Sequence, residues 1–133
     1  MQPRLLLDTH IVVRWISDTK NVSREQMRVL EASVSGNIPV GVSAISLLEI
    51  ALLTSNTGRL RNKRDELLHL IEINPVFMII PLSFEIASEI AALDGALRDP
   101  SDRTIVATAR VHRLRLVTSD QRIIDSKLVQ TIE

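Results

Sequence analysis

Two residue classes are missing or scarce in this chain of 133 residues. Cysteine is absent, which excludes disulfides and thiolate metal sites and leaves oxygen atoms as the main metal ligands. Aromatic residues make up only 2% of the chain, and the whole set is Trp15, Phe77 and Phe84. Because sheets that bind single-stranded nucleic acid by stacking need an aromatic platform, modules of that kind are disfavoured.

An excess of one charge and long hydrophobic runs are missing as well. Sixteen basic and sixteen acidic residues cancel, so any binding of a polyanion must be local. The apolar run at 76–82 is far too short to span a bilayer, which needs about 20 residues. Asp8, His10 and Arg14 interrupt the N-terminal stretch where a signal peptide would need a continuous apolar segment. We expect a soluble, cytoplasmic protein with no membrane association.

Short apolar segments alternate with longer segments of helical period, and this rhythm is typical of a parallel sheet with crossover helices. The length and the 45% hydrophobic content predict one domain, 1–133, with a sizeable core. Strands are predicted near 4–7, 40–43, 76–80, 115–118 and 128–132. Helices are predicted near 9–17, 23–35, 44–54, 61–73, 83–94 and 101–112, with a short turn at 121–125. Ser23 and Gln26 have the spacing of a capping box at the start of the second helix. The fold class is therefore α/β, with a mainly parallel five-stranded sheet.

Four acidic residues, Asp8, Glu49, Asp102 and Asp120, each fall at a predicted strand end or near a helix start. Ligands of open α/β sheets bind outside the carboxyl ends of the strands. Asp8 and Asp120 directly follow predicted strands, whereas the other two acids would approach through helices. Grouped carboxylates are the oxygen ligands that Mg²⁺ and Mn²⁺ prefer. The pattern therefore predicts a divalent metal site at the sheet edge.

Each of these acids also has a purely structural interpretation. Asp8 and Asp120 can cap the helices that follow them, because aspartate after a strand commonly does so. Glu49 can be a helix-edge glutamate that reaches solvent or pairs with an arginine. Asp102 can be a first-turn acid that favours the helix start, behind an N-cap that we assign to Asp99. The metal interpretation rests on all four acids together.

The segments that carry these acids resemble the motifs of PIN-domain nucleases, and most closely those of the VapC-like toxins of bacterial toxin–antitoxin pairs. The matching segments are LLLDTH (5–10), SAISLLEIALL (43–53), DPSDRTIVATA (99–109) and LVTSD (116–120). The resemblance implies a PIN-like three-layer α/β/α sandwich and places the acidic set on the four acids named above. Thr118 and Ser119 then occupy supporting hydroxyl positions. Leu48 departs from the pattern, since close relatives often carry tryptophan there.

What the resemblance implies about activity is a metal-dependent endoribonuclease that hydrolyses RNA phosphodiester bonds with Mg²⁺ or Mn²⁺. The four acids would be direct or water-mediated ligands, and their crowding would raise one another's pKa. The basic residues expected to hold the RNA backbone are Arg59, Arg61, Lys63, Arg64 and Arg103. A homodimer and a cognate antitoxin whose tail covers the acidic site are the implied protein partners.

Two other functions remain open at this point. A phosphatase of the haloacid dehalogenase type also places aspartates after parallel strands, but it expects a second aspartate where this chain has His10. A non-catalytic PIN-like module for protein contacts would not need all four acids. His10 itself is predicted to be a packed or hydrogen-bonded histidine rather than a ligand.

Overall fold

A computed structural model describes residues 1–53, 58–93 and 95–133, with the backbone alone for 58–62. The strands in this part of the chain are β1 (Leu5–Leu7), β2 (Val40–Ser43), β3 (Phe77–Ile80), β4 (Arg115–Val117) and β5 (Thr131–Ile132). The helices are α1 (Thr9–Ser17), α2 (Arg24–Ser35), α3 (Ala44–Ala51), α4 (Gly58–Ile73), α5 (Phe84–Ala92), α6 (Pro100–His112) and α7 (Gln121–Ser126). None of the helices in the described ranges is long and apolar enough to cross a membrane.

The strands form one parallel sheet in the order β3-β2-β1-β4-β5. Leu6 in the central strand pairs with Gly41 on one side and with Leu116 on the other. A Cβ atom at Gly41 would lie 3.1 Å from the carbonyl oxygen of Leu5, so glycine permits the close approach of these strands. The chain builds β1, β2 and β3 outward in one direction and then returns to add β4 and β5. The strand order therefore reverses between β1 and β4.

Helices cover both faces of the sheet, because the side chains of a strand alternate between its faces. Leu5 and Leu7 pack in a core with Leu30 and Ile71, from α2 and α4. Leu6 faces the opposite way. The second core, around Leu6, contains Ile86, Ile105, Leu116 and Ile123. The result is the predicted three-layer α/β/α sandwich with a five-stranded sheet, and every strand pairing is parallel.

Several element boundaries follow from local capping chemistry. Ser23 and Gln26 form a reciprocal capping box at the start of α2, as the sequence predicts. Asp99 caps α6 by accepting hydrogen bonds from the backbone N–H groups of Ser101 and Asp102. β5 is shorter than predicted, because Lys127 takes a left-handed conformation that ends α7, and the strand begins only at residue 131. A short 3-10 turn over residues 19–21 was not predicted.

Candidate metal and nuclease site

The four acids line one open pocket of about 420 Å³ at the carboxyl edge of the sheet. Asp8 follows β1 and Asp120 lies three residues beyond β4, the two strands between which the strand order reverses. Glu49 reaches the pocket from α3, and Asp102 reaches it from the first turn of α6. The other residues that line it are Thr9, His10, Val13, Arg14 and Leu53. Four separate segments of the chain therefore bring carboxylates to the point where open α/β sheets bind ligands.

Asp8 is the most deeply buried of the four acids, with only 4% of its surface exposed. Its backbone N–H donates to the carbonyl of Val117 at 3.0 Å, which extends the pairing of β1 with β4. One carboxylate oxygen, Oδ1, accepts from the backbone N–H of Thr9 at 2.8 Å and so caps α1. The other, Oδ2, accepts from the hydroxyl of Thr118 at 2.7 Å. Asp8 is therefore a helix cap and a pocket residue at once.

Thr118 connects the two acids that follow the strands. Its side chain is fully buried, and besides donating to Asp8 its hydroxyl accepts the backbone N–H of Asp120 at 3.0 Å. The neighbouring Ser119 hydroxyl accepts from the side-chain amide of Gln26 at 3.0 Å, and the same amide lies 3.3 Å from the carbonyl of Thr118. The supporting positions predicted for Thr118 and Ser119 thus have a physical basis. Gln26, which the sequence indicated only as part of a capping box, anchors them from α2.

Glu49 is held by a hydroxyl pair. Its Oε1 accepts from the hydroxyl of Thr9 at 2.6 Å, and the Ser46 hydroxyl lies 2.7 Å from the same Thr9 oxygen. Because Thr9 follows Asp8 directly, one residue of α1 sets the position of an acid on α3. The sequence did not identify Thr9 or Ser46, and hydroxyl side chains in helices carry too weak a signal to have done so.

Asp102 and Asp120 share a cation within the protein. Nη2 of Arg122 lies 3.0 Å from Oδ2 of Asp120 and 3.4 Å from Oδ2 of Asp102. Burial raises the pKa of Asp102 to about 6, and the negative charges of Asp99, Asp120 and Asp8 add to the shift. The hydrogen bond from Arg122 lowers the pKa of Asp120 instead. The expected mutual rise in pKa therefore holds for Asp102 and is reversed at Asp120.

His10 is hydrogen-bonded, as predicted. Its Nε2 accepts the backbone N–H of Ser119 at 3.0 Å, and its Nδ1 lies 3.5 Å from Oδ2 of Asp8. Burial lowers the pKa of His10, although the charge of Asp8 partly opposes the shift. A neutral ring with its proton on Nδ1 fits both contacts.

The basic residues predicted to hold RNA are placed very differently from one another. Arg103 donates to the carbonyl oxygens of Leu97, Ile90 and Leu93, so its guanidinium braces the segment between α5 and α6. These contacts give Arg103 a structural role, and its predicted contact with a nucleic acid backbone stays a prediction. Lys63 is exposed and Arg64 pairs with Asp65, whereas the side chains of Arg59 and Arg61 lie outside the described residues. Arg14, which the sequence did not indicate, lines the pocket.

The donor set suits a hard divalent cation, since carboxylate and hydroxyl oxygens surround one pocket and burial disfavours a negative charge on Asp102. The expectation that the carboxylates already lie close enough to share one ion is not met. Within the described residues, no three histidine, aspartate or glutamate side chains lie at such a distance. Thr9, Thr118 and Arg122 hold the oxygens apart. The residues fit a divalent ion by chemistry and placement, provided that their side chains rotate inward.

The sheet order and the pocket define the class of this protein, a parallel α/β sandwich with an acidic site at the strand-order reversal. Within this class the chain belongs to the PIN domain family, whose model matches residues 5–127. The resemblance seen in the sequence motifs is therefore confirmed. Membership in this family also leaves no support for the haloacid dehalogenase alternative.

The chain is also similar to individual proteins over nearly its whole length. It is 29% identical over 120 residues to Ribonuclease VapC22 of Mycobacterium tuberculosis, a match that covers 90% of this chain and 88% of that protein. Its fold resembles VapBC2 from Rickettsia felis bound to a promoter DNA fragment, with a TM-score of 0.75, 19% identity, and coverage of 99% of this chain and 98% of that one. A toxin–antitoxin complex from Klebsiella pneumoniae gives a TM-score of 0.66 at 25% identity, with coverage of 97% and 96%.

Proposed function

We propose that this chain is a metal-dependent endoribonuclease that acts as the toxin of a toxin–antitoxin pair. The observation that carries the proposal is the meeting of Asp8, Glu49, Asp102 and Asp120 in one pocket, from four separate segments. Similarity to a ribonuclease and to toxin–antitoxin complexes supports the same conclusion. A non-catalytic PIN-like module would have no need for this convergence of acids.

The four acids would hold Mg²⁺ or Mn²⁺ directly or through water. When bound, the cation would offset charge on the phosphate oxygens and make a water molecule more acidic. The Thr118 hydroxyl bonds both the Asp8 carboxylate and the backbone of Asp120, so it ties together the two segments that follow the strands. Burial disfavours a negative charge on Asp102, and a cation beside it would remove that penalty.

Substrate contacts in this proposal come from basic residues around the pocket. Arg14 lines the pocket itself and is the cation best placed to meet a backbone phosphate. Lys63 is exposed and Arg64 is half-buried, and both stay in the proposal together with Arg59 and Arg61. Arg103 is the least favoured member of this set, because its guanidinium already donates to carbonyl oxygens.

The proposal includes an antitoxin partner and a homodimer. Apolar side chains beside the acidic pocket support a protein contact there, since Leu48, Leu52 and Leu53 are 51%, 64% and 50% exposed. Residues of α1 are less suitable for such a contact. Ile11 and Val12 are fully buried, and Trp15 packs against the core.

The test is RNA cleavage by the purified chain with Mg²⁺, compared with the variants Asp8→Asn and Asp120→Asn. Removing either carboxylate should lower the cleavage rate more than about 100-fold, because metal catalysis supplies several kcal/mol of transition-state stabilisation. Asp125→Asn is a matched control, since Asp125 is exposed on α7, does not line the pocket, and accepts a hydrogen bond from Gln121. Cleavage that survives both pocket substitutions or a chelator would refute the proposal.

A further inference from the structure

Arg122 is a cation at the acidic pocket that the sequence did not indicate. It belongs to α7, two residues after Asp120, and its side chain is 72% exposed. Its guanidinium nevertheless lies between two carboxylates, with Nη2 in contact with Oδ2 of both Asp120 and Asp102. Nε adds a contact with Oδ1 of Asp120 at 3.3 Å. One exposed side chain thus contacts two acids at the starts of different helices.

The charge balance of the pocket explains this arrangement. Four acidic side chains line it, against one lining arginine, Arg14, and a histidine whose pKa is lowered. Asp99 adds further negative charge near Asp102. A pocket of this kind attracts a positive group to its outer carboxylates, and Arg122 is the group that reaches them.

We propose that Arg122 is a resident counterion of Asp102 and Asp120, and that a divalent cation must displace its guanidinium in order to bind both acids. This inference rests on the proposed function, because it assumes that the pocket binds a divalent cation. In this proposal Arg122 is a positioning residue. It holds the two acids in place and lowers the apparent affinity of the pocket for the metal.

Displacement follows from the atoms involved. Nη2 of Arg122 contacts the Oδ2 atoms of both Asp120 and Asp102, so a divalent cation bound to these two oxygens would lie close to the guanidinium. Like charges at that distance repel, so the two cations exclude each other. The long side chain is mostly exposed and can turn out to solvent. Asp120 stays in place meanwhile, because the backbone N–H of Arg122 donates to its Oδ1 at 3.0 Å.

The experiment is Mn²⁺ binding, measured by calorimetry and by the paramagnetic resonance signal of free Mn²⁺, without RNA. Arg122→Gln removes the competing charge but keeps the backbone N–H that fixes Asp120. We expect this variant to bind Mn²⁺ about two- to fivefold more tightly than the wild type, the range that corresponds to an exposed ion pair. Arg122→Lys keeps the charge and should bind within about twofold of the wild type.

Arg28→Gln is the matched control, because Arg28 forms an exposed ion pair with Glu25 on α2 and its removal changes the net charge equally. Its Mn²⁺ affinity should equal that of the wild type. Circular dichroism establishes that each variant is folded. Equal or weaker Mn²⁺ binding by Arg122→Gln would overturn the inference and leave the proposed function standing. Equally tight Mn²⁺ binding by Arg122→Lys and Arg122→Gln would also overturn the inference and leave the proposed function standing. If the wild type itself binds no Mn²⁺, both the inference and the proposed site fail.

Discussion

Replacing Thr118 with valine tests whether this buried hydroxyl holds the two strand-end acids in place. Valine has nearly the same size and branching as threonine, so the substitution removes the hydroxyl with little change in the volume at residue 118. The substitution removes the hydrogen bond to Oδ2 of Asp8 at 2.7 Å and the one from the backbone N–H of Asp120 at 3.0 Å. Both partners stay in a part of the pocket where water has little access, since Thr118 is fully buried and Asp8 is 4% exposed.

The two lost hydrogen bonds determine how far the free energy of unfolding should fall. A bond to a charged group contributes about 1.5–3 kcal/mol, and one between neutral groups contributes about 0.5–1.5 kcal/mol. Asp8 keeps its bond from the N–H of Thr9, which limits the loss. We therefore expect Thr118→Val to lower the free energy of unfolding by about 2–4 kcal/mol.

Urea unfolding followed by circular dichroism measures this change, with Thr118→Ser as the matched control. Serine keeps the hydroxyl and loses one methyl group, which should lower the free energy of unfolding by only about 1 kcal/mol. The valine variant must therefore be the less stable of the two. If it is as stable as the serine variant, or more stable, the hydroxyl does not hold the acids and this account of the site is wrong.

Two further predictions concern Asp102 and Arg103. The pKa of Asp102 is raised from 3.8 to about 6, so its contribution to stability is lost as pH rises from about 4 through about 6. In urea unfolding with chelator, Asp102→Asn should therefore be more stable than the wild type by about 1 kcal/mol at pH 8, after allowance for solvent screening, and about equal near pH 4. A difference independent of pH would contradict this. Arg103→Ala removes bonds to three carbonyl oxygens and should lower the free energy of unfolding by about 2–3 kcal/mol. Arg103→Lys should not restore it, since an ammonium lacks the planar fork, and full rescue by lysine in thermal unfolding would refute the bracing role.

The sequence predicts the elements of this fold well because its signals are local. The apolar run Leu5–Leu7 becomes the central strand, and the Ser23 capping box begins α2. Asp99 caps α6 for the same reason. The shortening of β5 was missed because it depends on the left-handed conformation of Lys127, which few local signals predict for lysine.

The support of the site could not be predicted, because its contacts join distant parts of the chain. Thr9 and Glu49 are 40 residues apart, and Gln26 and Ser119 are 93 residues apart. No periodicity of the sequence encodes which side chains meet across the edge of a sheet. Arg103 illustrates the opposite case, in which a local signal was present. Its position beside an acidic motif suggested contact with a ligand, but its guanidinium donates to backbone carbonyl oxygens.

The competition between helix capping and metal binding, which the sequence left open, has a simple geometric answer for Asp8 and Asp120. A carboxylate has two oxygens, and a cap needs only one of them. Oδ1 of each residue accepts a backbone N–H at the start of its helix, and Oδ2 is directed to Thr118 or to Arg122. Capping therefore uses one oxygen of each carboxylate and leaves the second oxygen free of the helix start. Asparagine caps helices about as well as aspartate and lacks the charge. The substitutions Asp8→Asn and Asp120→Asn thus preserve the helix starts and remove the negative charge, so a loss of cleavage in a variant that remains folded would report on the pocket.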